Sequence, residues 1–174
     1  FSSVSQAEDE FEAVKSLWGQ RVSKVQVETG NDGLDNYVNA WGVYQTVAGR
    51  LFGRTSNYQN SGAFGFRDQL QDCVCLGGIY PELLRRQIIR CCAHQFVEGD
   101  GQHWWHPGSA GPEGPDPGVR TLCSDDYMWL PYAVCRYYEI TGDRDLLFED
   151  VYYLQSPMPD KKTSVRYESP QKSQ

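Results

Sequence analysis

Residues 53–72 concentrate the side chains best able to do chemistry. The run is Gly-Arg-Thr-Ser-Asn-Tyr-Gln-Asn-Ser-Gly-Ala-Phe-Gly-Phe-Arg-Asp-Gln-Leu-Gln-Asp. Two Arg, two Asp, three Gln and three aromatics share one short window. Cores are not built from such a mixture, because each buried charge or amide needs its own partner. A ligand site is: aromatic faces such as Tyr58 hold an apolar surface, and a few polar forks read hydroxyls or an anion. Arg54 either caps the last carbonyls of a preceding helix or forks around an anion, which suits a guanidinium better than an ammonium. Arg67 and Asp68 read as a local ion pair with an N-cap. Equally, an Asp at a loop-to-helix junction accepts two hydrogen bonds from vicinal sugar hydroxyls. Gln71 and Asp72 follow within a turn, and Asp72, beside Cys73 and Val74, also reads as a buried, satisfied carboxylate.

Two further clusters have the same character. Gln-His-Trp-Trp-His-Pro at 102–107 sets His103 and His106 around Trp104 and Trp105. As a metal pair the histidines need a third ligand, which Cys123 or Asp125 could supply. Sugar stacking fits better, because Trp offers an apolar face to a ring and an N–H to a hydroxyl; no metal and no cofactor are expected. Asp125 and Asp126 complement a helix dipole, or, with Tyr127 and Trp129, supply carboxylates beside aromatic faces, as sugar sites do.

The chain of 174 residues suffices for one domain with a sizeable core. Its net charge of -7 argues against a phosphate-backbone binder, so no nucleic acid is expected. No apolar run approaches the roughly 20 residues needed to span a bilayer. The six Cys form no C-x-x-C pair, so a zinc ribbon is not expected. Most sit in apolar helical patterns, which suits reduced core thiols and a cytoplasmic location.

The elements that must position these clusters read as helices. Ser5-x-x-Glu8 is a capping box for the first, with Phe11, Val14 and Trp18 on one face. Residues 33–52 carry the strongest helical period, through Leu34, Tyr37, Val38, Trp41, Tyr44, Ala48 and Leu51. A third helix runs from Phe66 to Gly77-Gly78, and a fourth starts at Tyr80-Pro81. After a long loop at 97–123, a fifth starts at Ser124 with Trp129, Tyr132, Ala133 and Tyr137 buried. A sixth follows Thr141-Gly142-Asp143, through Leu146, Leu147 and Val151. Long and short connections alternate. In an up-down array the two long loops and the segment after Leu154 therefore share one end, where long loops are usually functional.

The blocks 58–72, 95–107 and 124–131 resemble the signature of glycoside hydrolase family ninety-four, in the family's order and spacing. The resemblance implies an all-α fold, part of an (α/α)₆ toroid of helical hairpins. It implies that residues 1–174 are the N-terminal half of a catalytic barrel: an opening helix and connector at 1–30, helical hairpins at 31–154, and a polar loop at 155–174. The family comprises inverting phosphorylases of β-linked glucosides and the related domain of cyclic β-1,2-glucan synthases. The resemblance puts Arg54 among the phosphate ligands and Asp68 on the glucose hydroxyls. Tyr58, Arg67, Gln71, Asp72, His103, Trp104, Trp105, His106, Asp125, Asp126 and Trp129 would bind substrate or support those that do. The expected partners are a β-glucan oligosaccharide, inorganic phosphate as co-substrate, the remainder of the polypeptide, and a second copy in a homodimer.

Two departures from the family pattern matter. Disaccharide-type members resemble Arg-Gly-x-Gly-Phe-Arg-Asp, and Gly62 stands where their extra Arg would be, so a disaccharide preference is not expected; the Gln-Leu-Gln-Asp and His-Trp-Trp-His-Pro forms are most similar to the β-1,2-glucan branch. The Gly-Asp-Trp-Asn-Asp-like block of the general acid does not occur, so the acid is expected beyond residue 174 and this chain alone is expected to be inactive. A chain-length-controlling transglycosylase domain and a non-catalytic glycan-binding helical module remain the alternatives.

Overall fold

The computed structural model describes residues 3–53, 62–111, 114–160 and 162–173. The chain divides into two units, 1–52 and 53–174.

In the first unit, α1 (Val4–Val22) is capped by Ser3, whose hydroxyl accepts the Gln6 N–H at 3.1 Å. The helix thus starts two residues before the expected capping box, and Ser5 and Glu8 lie inside it. No residue of α1 is buried, and Phe11 and Val14 are exposed; Trp18 meets the Tyr44 ring at 4.8 Å, and Arg21 lies over the Phe52 ring at 5.7 Å. The predicted second helix is α2 (Asp32–Asn36), a π segment (Tyr37–Trp41), α3 (Gly42–Tyr44) and a second π segment (Gln45–Phe52). Asn31 caps it by accepting the N–H groups of Gly33 and Leu34. The widened turn shows at Gly42, whose N–H reaches the Tyr37 carbonyl five residues back. The connector is held by Asn39, which exchanges two hydrogen bonds with the Val27 backbone at 2.7 and 2.9 Å.

The second unit has its core between three helices: α4 (Phe66–Val74), α5 (Pro81–Cys92) and α6 (Asp126–Thr141). Leu70 and Cys73, Leu84, Ile88 and Cys91, and Ala133 and Tyr137 fill it at helical spacing. Gly77 lets two helices close: a Cβ there would lie 2.8 Å from Ile140 Cδ1 and 3.0 Å from Leu84 Cδ2. Gly142 ends α6 in the left-handed region, at φ 67°, with its N–H on the Tyr138 carbonyl.

The all-α expectation needs correction. Strands β1 (Phe64–Gly65), β2 (Gln102–Trp105), β3 (Gly118–Thr121) and β5 (Val165–Glu168) form an antiparallel sheet in the order β1-β2-β3-β5. Strands β4 (Leu154–Gln155) and β6 (Gln171–Lys172) pair separately. The region 31–154 is therefore not helical hairpins alone, and 155–174 is not only a polar loop. The sixth helix shrinks to a 3-10 turn, Asp145–Phe148. Ladder hydrogen bonds in the sheet satisfy backbone groups that a buried loop would leave bare. The sheet joins the end of the first long loop, both arms of the second, and the segment after Leu154.

One irregularity positions the site. Gln102 pairs with Arg120 and Trp104 with Val119, so β2 carries one extra residue, His103. Such a bulge re-aims a side chain. It also lets Gln102 and Trp105, three apart, both point inward. Gly118 makes the close approach possible, since a Cβ there would stand 2.1 Å from the Trp104 carbonyl oxygen.

Candidate glycan-binding site

The bulge of β2 and two helix starts bring the polar clusters together. Arg67 lies in the first turn of α4, His103 on the bulge of β2, and Asp125 and Asp126 at the start of α6. Arg67 donates from a terminal guanidinium nitrogen to Asp125 Oδ2 at 2.5 Å, and its Nε lies 4.0 Å from Asp68 Oδ1. His103 Nδ1 donates to Asp126 Oδ2 at 2.6 Å. Successive residues of a helix project about 100° apart. This splits the Asp pair: Asp125 meets Arg67 at the surface, while Asp126 is buried, 1% exposed, beneath His103. Gly65 admits the Asp68 carboxylate, since a Cβ there would fall 2.4 Å from Asp68 Oδ2.

These contacts set the charges. The Asp126 carboxylate raises the pKa of His103 above its ordinary value. The Cys123 thiol, at 2.9 Å from Asp125 Oδ1, and then Arg67 hold the Asp125 carboxyl below the usual range. The same Asp125 contact pushes the Cys123 thiol up. The surface at this point is a fixed array of Arg67, Asp68, Asp125 and His103, all open to solvent on one side. Such an array presents donors and acceptors to several hydroxyls at once.

Other expected residues fall differently. Arg54 and Tyr58 lie outside the described residues. Gln71, exposed, and Asp72, half-buried, sit one turn along α4 from Arg67 and Asp68. Trp104 is half-buried, 5.2 Å from the ring of His106 and 5.8 Å from that of Tyr167, with part of its face open. Trp105 must be removed from the mouth. It is fully buried, stacked on His94 at 3.8 Å and edge-on to Phe66 at 6.5 Å. Neighbours on a strand face opposite ways, so the adjacent Trp pair supplies one surface ring and one core ring. Trp129 is half-buried rather than core, edge-on to exposed Tyr132 at 5.6 Å; Asp126, Leu130, Ala133 and Tyr137 form the buried face of α6 instead.

The wall behind the site uses residues that sequence reasoning missed. Arg120, fully buried, donates to both oxygens of Asp100 at 2.6 and 2.7 Å, to Glu98 at 2.9 Å and to the Ser156 carbonyl at 2.7 Å, above the Phe96 ring. Gln102 donates to the Asp116 carbonyl at 3.2 Å, which fixes its amide so that Oε1 accepts from His94 Nδ1 at 2.8 Å. Burial lowers His94 to about 4, so this ring is neutral. Glu98, Asp100 and Gln102 fall in the family-like block 95–107, but Arg120 lies outside all three blocks, in a segment with no helical period.

Residues 17–173 match the family described as glycosyl hydrolase 94 superfamily, catalytic domain. The chain belongs to the glycosyl hydrolase 94 family. It is 46% identical over 146 residues to a cyclic beta-(1,2)-glucan synthase, NdvB, of Rhizobium meliloti (strain 1021), covering 84% of this chain and 5% of that protein. It is 28% identical over 175 residues to an N,N'-diacetylchitobiose phosphorylase of Vibrio proteolyticus, covering 88% of this chain and 22% of the relative. A solabiose phosphorylase of Paenibacillus borealis is 28% identical over 170 residues, covering 93% and 20%. The chain thus spans about a fifth or less of the length of these relatives. All six cysteines are free, and no helix among the described residues is long and apolar enough to cross a membrane.

Proposed function

We propose that this family 94 chain forms one sugar-binding wall of a catalytic domain that phosphorolyses β-linked glucan oligosaccharides with inversion. The observation that carries the reading is the joined array of Arg67, Asp68, Asp125 and His103, supported by the relatives' names. In this reading a phosphate oxygen forms a bond to the anomeric carbon as the glycosidic C–O bond breaks. A carboxylic acid from beyond residue 174 protonates the departing oxygen, giving α-glucose 1-phosphate and a shortened glucan. Asp68 accepts hydrogen bonds from hydroxyls of the glucose being transferred. Arg67, held between Asp68 and Asp125, keeps that carboxylate in place, with Gln71 and Asp72 in support. Contacts to the hydroxyls strengthen as oxocarbenium character develops. Arg54 neutralises the attacking phosphate, Tyr58 lines the same loop, and Trp104, His106 and Trp129 offer aromatic faces to further sugar units. Phosphate is a co-substrate, and no cofactor is required. The remainder of the polypeptide completes the toroid, in a cytoplasmic enzyme that forms a homodimer.

The 46% identity to a cyclic glucan synthase favours a second reading, transglycosylation that sets glucan chain length without phosphate. Incubating the full-length protein with linear β-1,2-glucan oligosaccharides and phosphate tests the choice. Release of glucose 1-phosphate supports phosphorolysis. Redistribution of oligosaccharide lengths without phosphate moves the reading to transglycosylation. No change in either refutes both for this linkage and favours the non-catalytic glycan-binding module.

A further inference from the structure

We propose that His103, Cys123 and Asp126 bind one divalent transition-metal ion of the zinc class, tying β2 to the start of α6. A ring nitrogen of His103, the Cys123 sulfur and a carboxylate oxygen of Asp126 all lie within 4.8 Å of one another. The edges of a tetrahedral zinc site are about 3.5 Å long, given metal–ligand distances near 2.0–2.3 Å. Closure therefore requires shifts of about an ångström, which half-exposed His103 and Cys123 can make by side-chain rotation.

A second observation favours a cation at this position. Asp126 is 1% exposed, and its Oδ1 has no hydrogen-bond partner among the described residues. Burying a carboxylate oxygen bare is costly, and a bound cation removes that cost. His103 satisfies only the other oxygen.

The donor set selects the ion. One nitrogen, one sulfur and one oxygen suit zinc, whereas calcium and magnesium prefer all-oxygen cages. Three protein ligands leave a fourth position for water. Charge favours a cation here: Asp125 and Asp126 outweigh Arg67. The ligands are also held from behind, His103 by the bulge, Cys123 by its N–H on Thr121 Oγ1 at 3.1 Å, and Asp126 by the first turn of α6. Binding releases the thiol proton of Cys123, now directed at Asp125, and the Nδ1 proton of His103 where that nitrogen ligates. The sequence alone paired His103 with His106 and offered Cys123 or Asp125 as a third ligand. The structure brings Cys123 and Asp126, not His106, within reach of His103; His103 is shared with the sugar-facing array, so the test reads metal binding and not turnover.

The test titrates the chelator-stripped full-length protein with Co²⁺ and reads the thiolate-to-cobalt charge-transfer band. The expected result is a band that saturates at one Co²⁺ per chain, is displaced by Zn²⁺, and disappears in Cys123→Ser. In Asp126→Asn the midpoint should rise at least 10-fold, while Cys135→Ser, an exposed thiol of α6, should change nothing. Absence of the band in the wild type, or an unchanged band in Cys123→Ser, overturns the site. Should Cys123→Ser lose its circular-dichroism spectrum, alkylation of the wild type decides. Zn²⁺ must slow iodoacetamide labelling of Cys123, and labelling at the same rate with and without Zn²⁺ overturns the proposal.

Discussion

Replacing Asp100 by Ala should be among the most damaging single changes to the wall behind the site. Arg120 is fully buried, and Asp100, itself 4% exposed, meets it with two parallel hydrogen bonds of 2.6 and 2.7 Å. Losing one partner of a buried pair strands the other charge, at about 3–5 kcal/mol. Glu98, 39% exposed and so partly screened, remains on a terminal nitrogen at 2.9 Å, and the Ser156 carbonyl accepts at 2.7 Å, so part of the guanidinium stays paired. The expected loss is therefore at the lower end, about 3 kcal/mol. With a urea slope of roughly 2 kcal/mol per molar, the midpoint should fall by about 1.5 M. Intrinsic tryptophan fluorescence, to which buried Trp105 of the same unit contributes, follows the transition. Joint replacement of Asp100 by Leu and Arg120 by Met should recover much of the loss, because an apolar pair of similar volume has no charge to strand. A midpoint shift below about 0.5 M for Asp100→Ala, at an unchanged slope, would refute the reasoning.

Further predictions concern pH and packing. Asp126 raises the folded-state pKa of His103 above the unfolded value of about 6.5. In the chelator-stripped protein the stability from this contact is therefore fully present below about pH 6.5 and lost as pH rises through the folded value. His103→Gln should flatten that alkaline fall in a series of denaturation midpoints. Burial lowers His94 to about 4, so its contribution has the opposite sign and is lost as pH falls from about 6.5 toward 4. The acid-side loss should therefore survive His103→Gln. Gly118→Ala should cost about 1–3 kcal/mol by thermal or urea unfolding, because the new Cβ meets the backbone of β2 at 2.1 Å rather than a movable side chain.

Much of the helical frame was legible. Pro81 at a helix start and Gly142 at a helix end carried their signals in single residues, and α4 and α5 followed the apolar period. The convergence of the two long loops followed from connection lengths alone, and the sheet joins their strands. The sheet itself was hidden for physical reasons. β2 does not alternate, because the bulge at His103 turns two inward positions into a spacing of three. β3 buries Arg120, a residue that reads as surface until its Asp100 partner is seen. At the site, residue types indicated the chemistry but not the assignment of neighbours. Trp104 and Trp105 look alike in sequence, as do Asp125 and Asp126. In each pair, strand alternation or the helical turn sends one side chain to the surface and the other to the interior.

The central claim, that Asp68 and its neighbours read the reacting sugar, is tested most directly by Asp68→Ala in the full-length protein. Turnover of linear β-1,2-glucan, with and without phosphate, is measured beside oligosaccharide binding. Asp68 is half-buried at a helix start, and its loss should leave the fold intact. Turnover should be abolished while longer oligosaccharides still bind through the aromatic faces. Turnover at the wild-type rate, with only the binding constant changed, would contradict the claim.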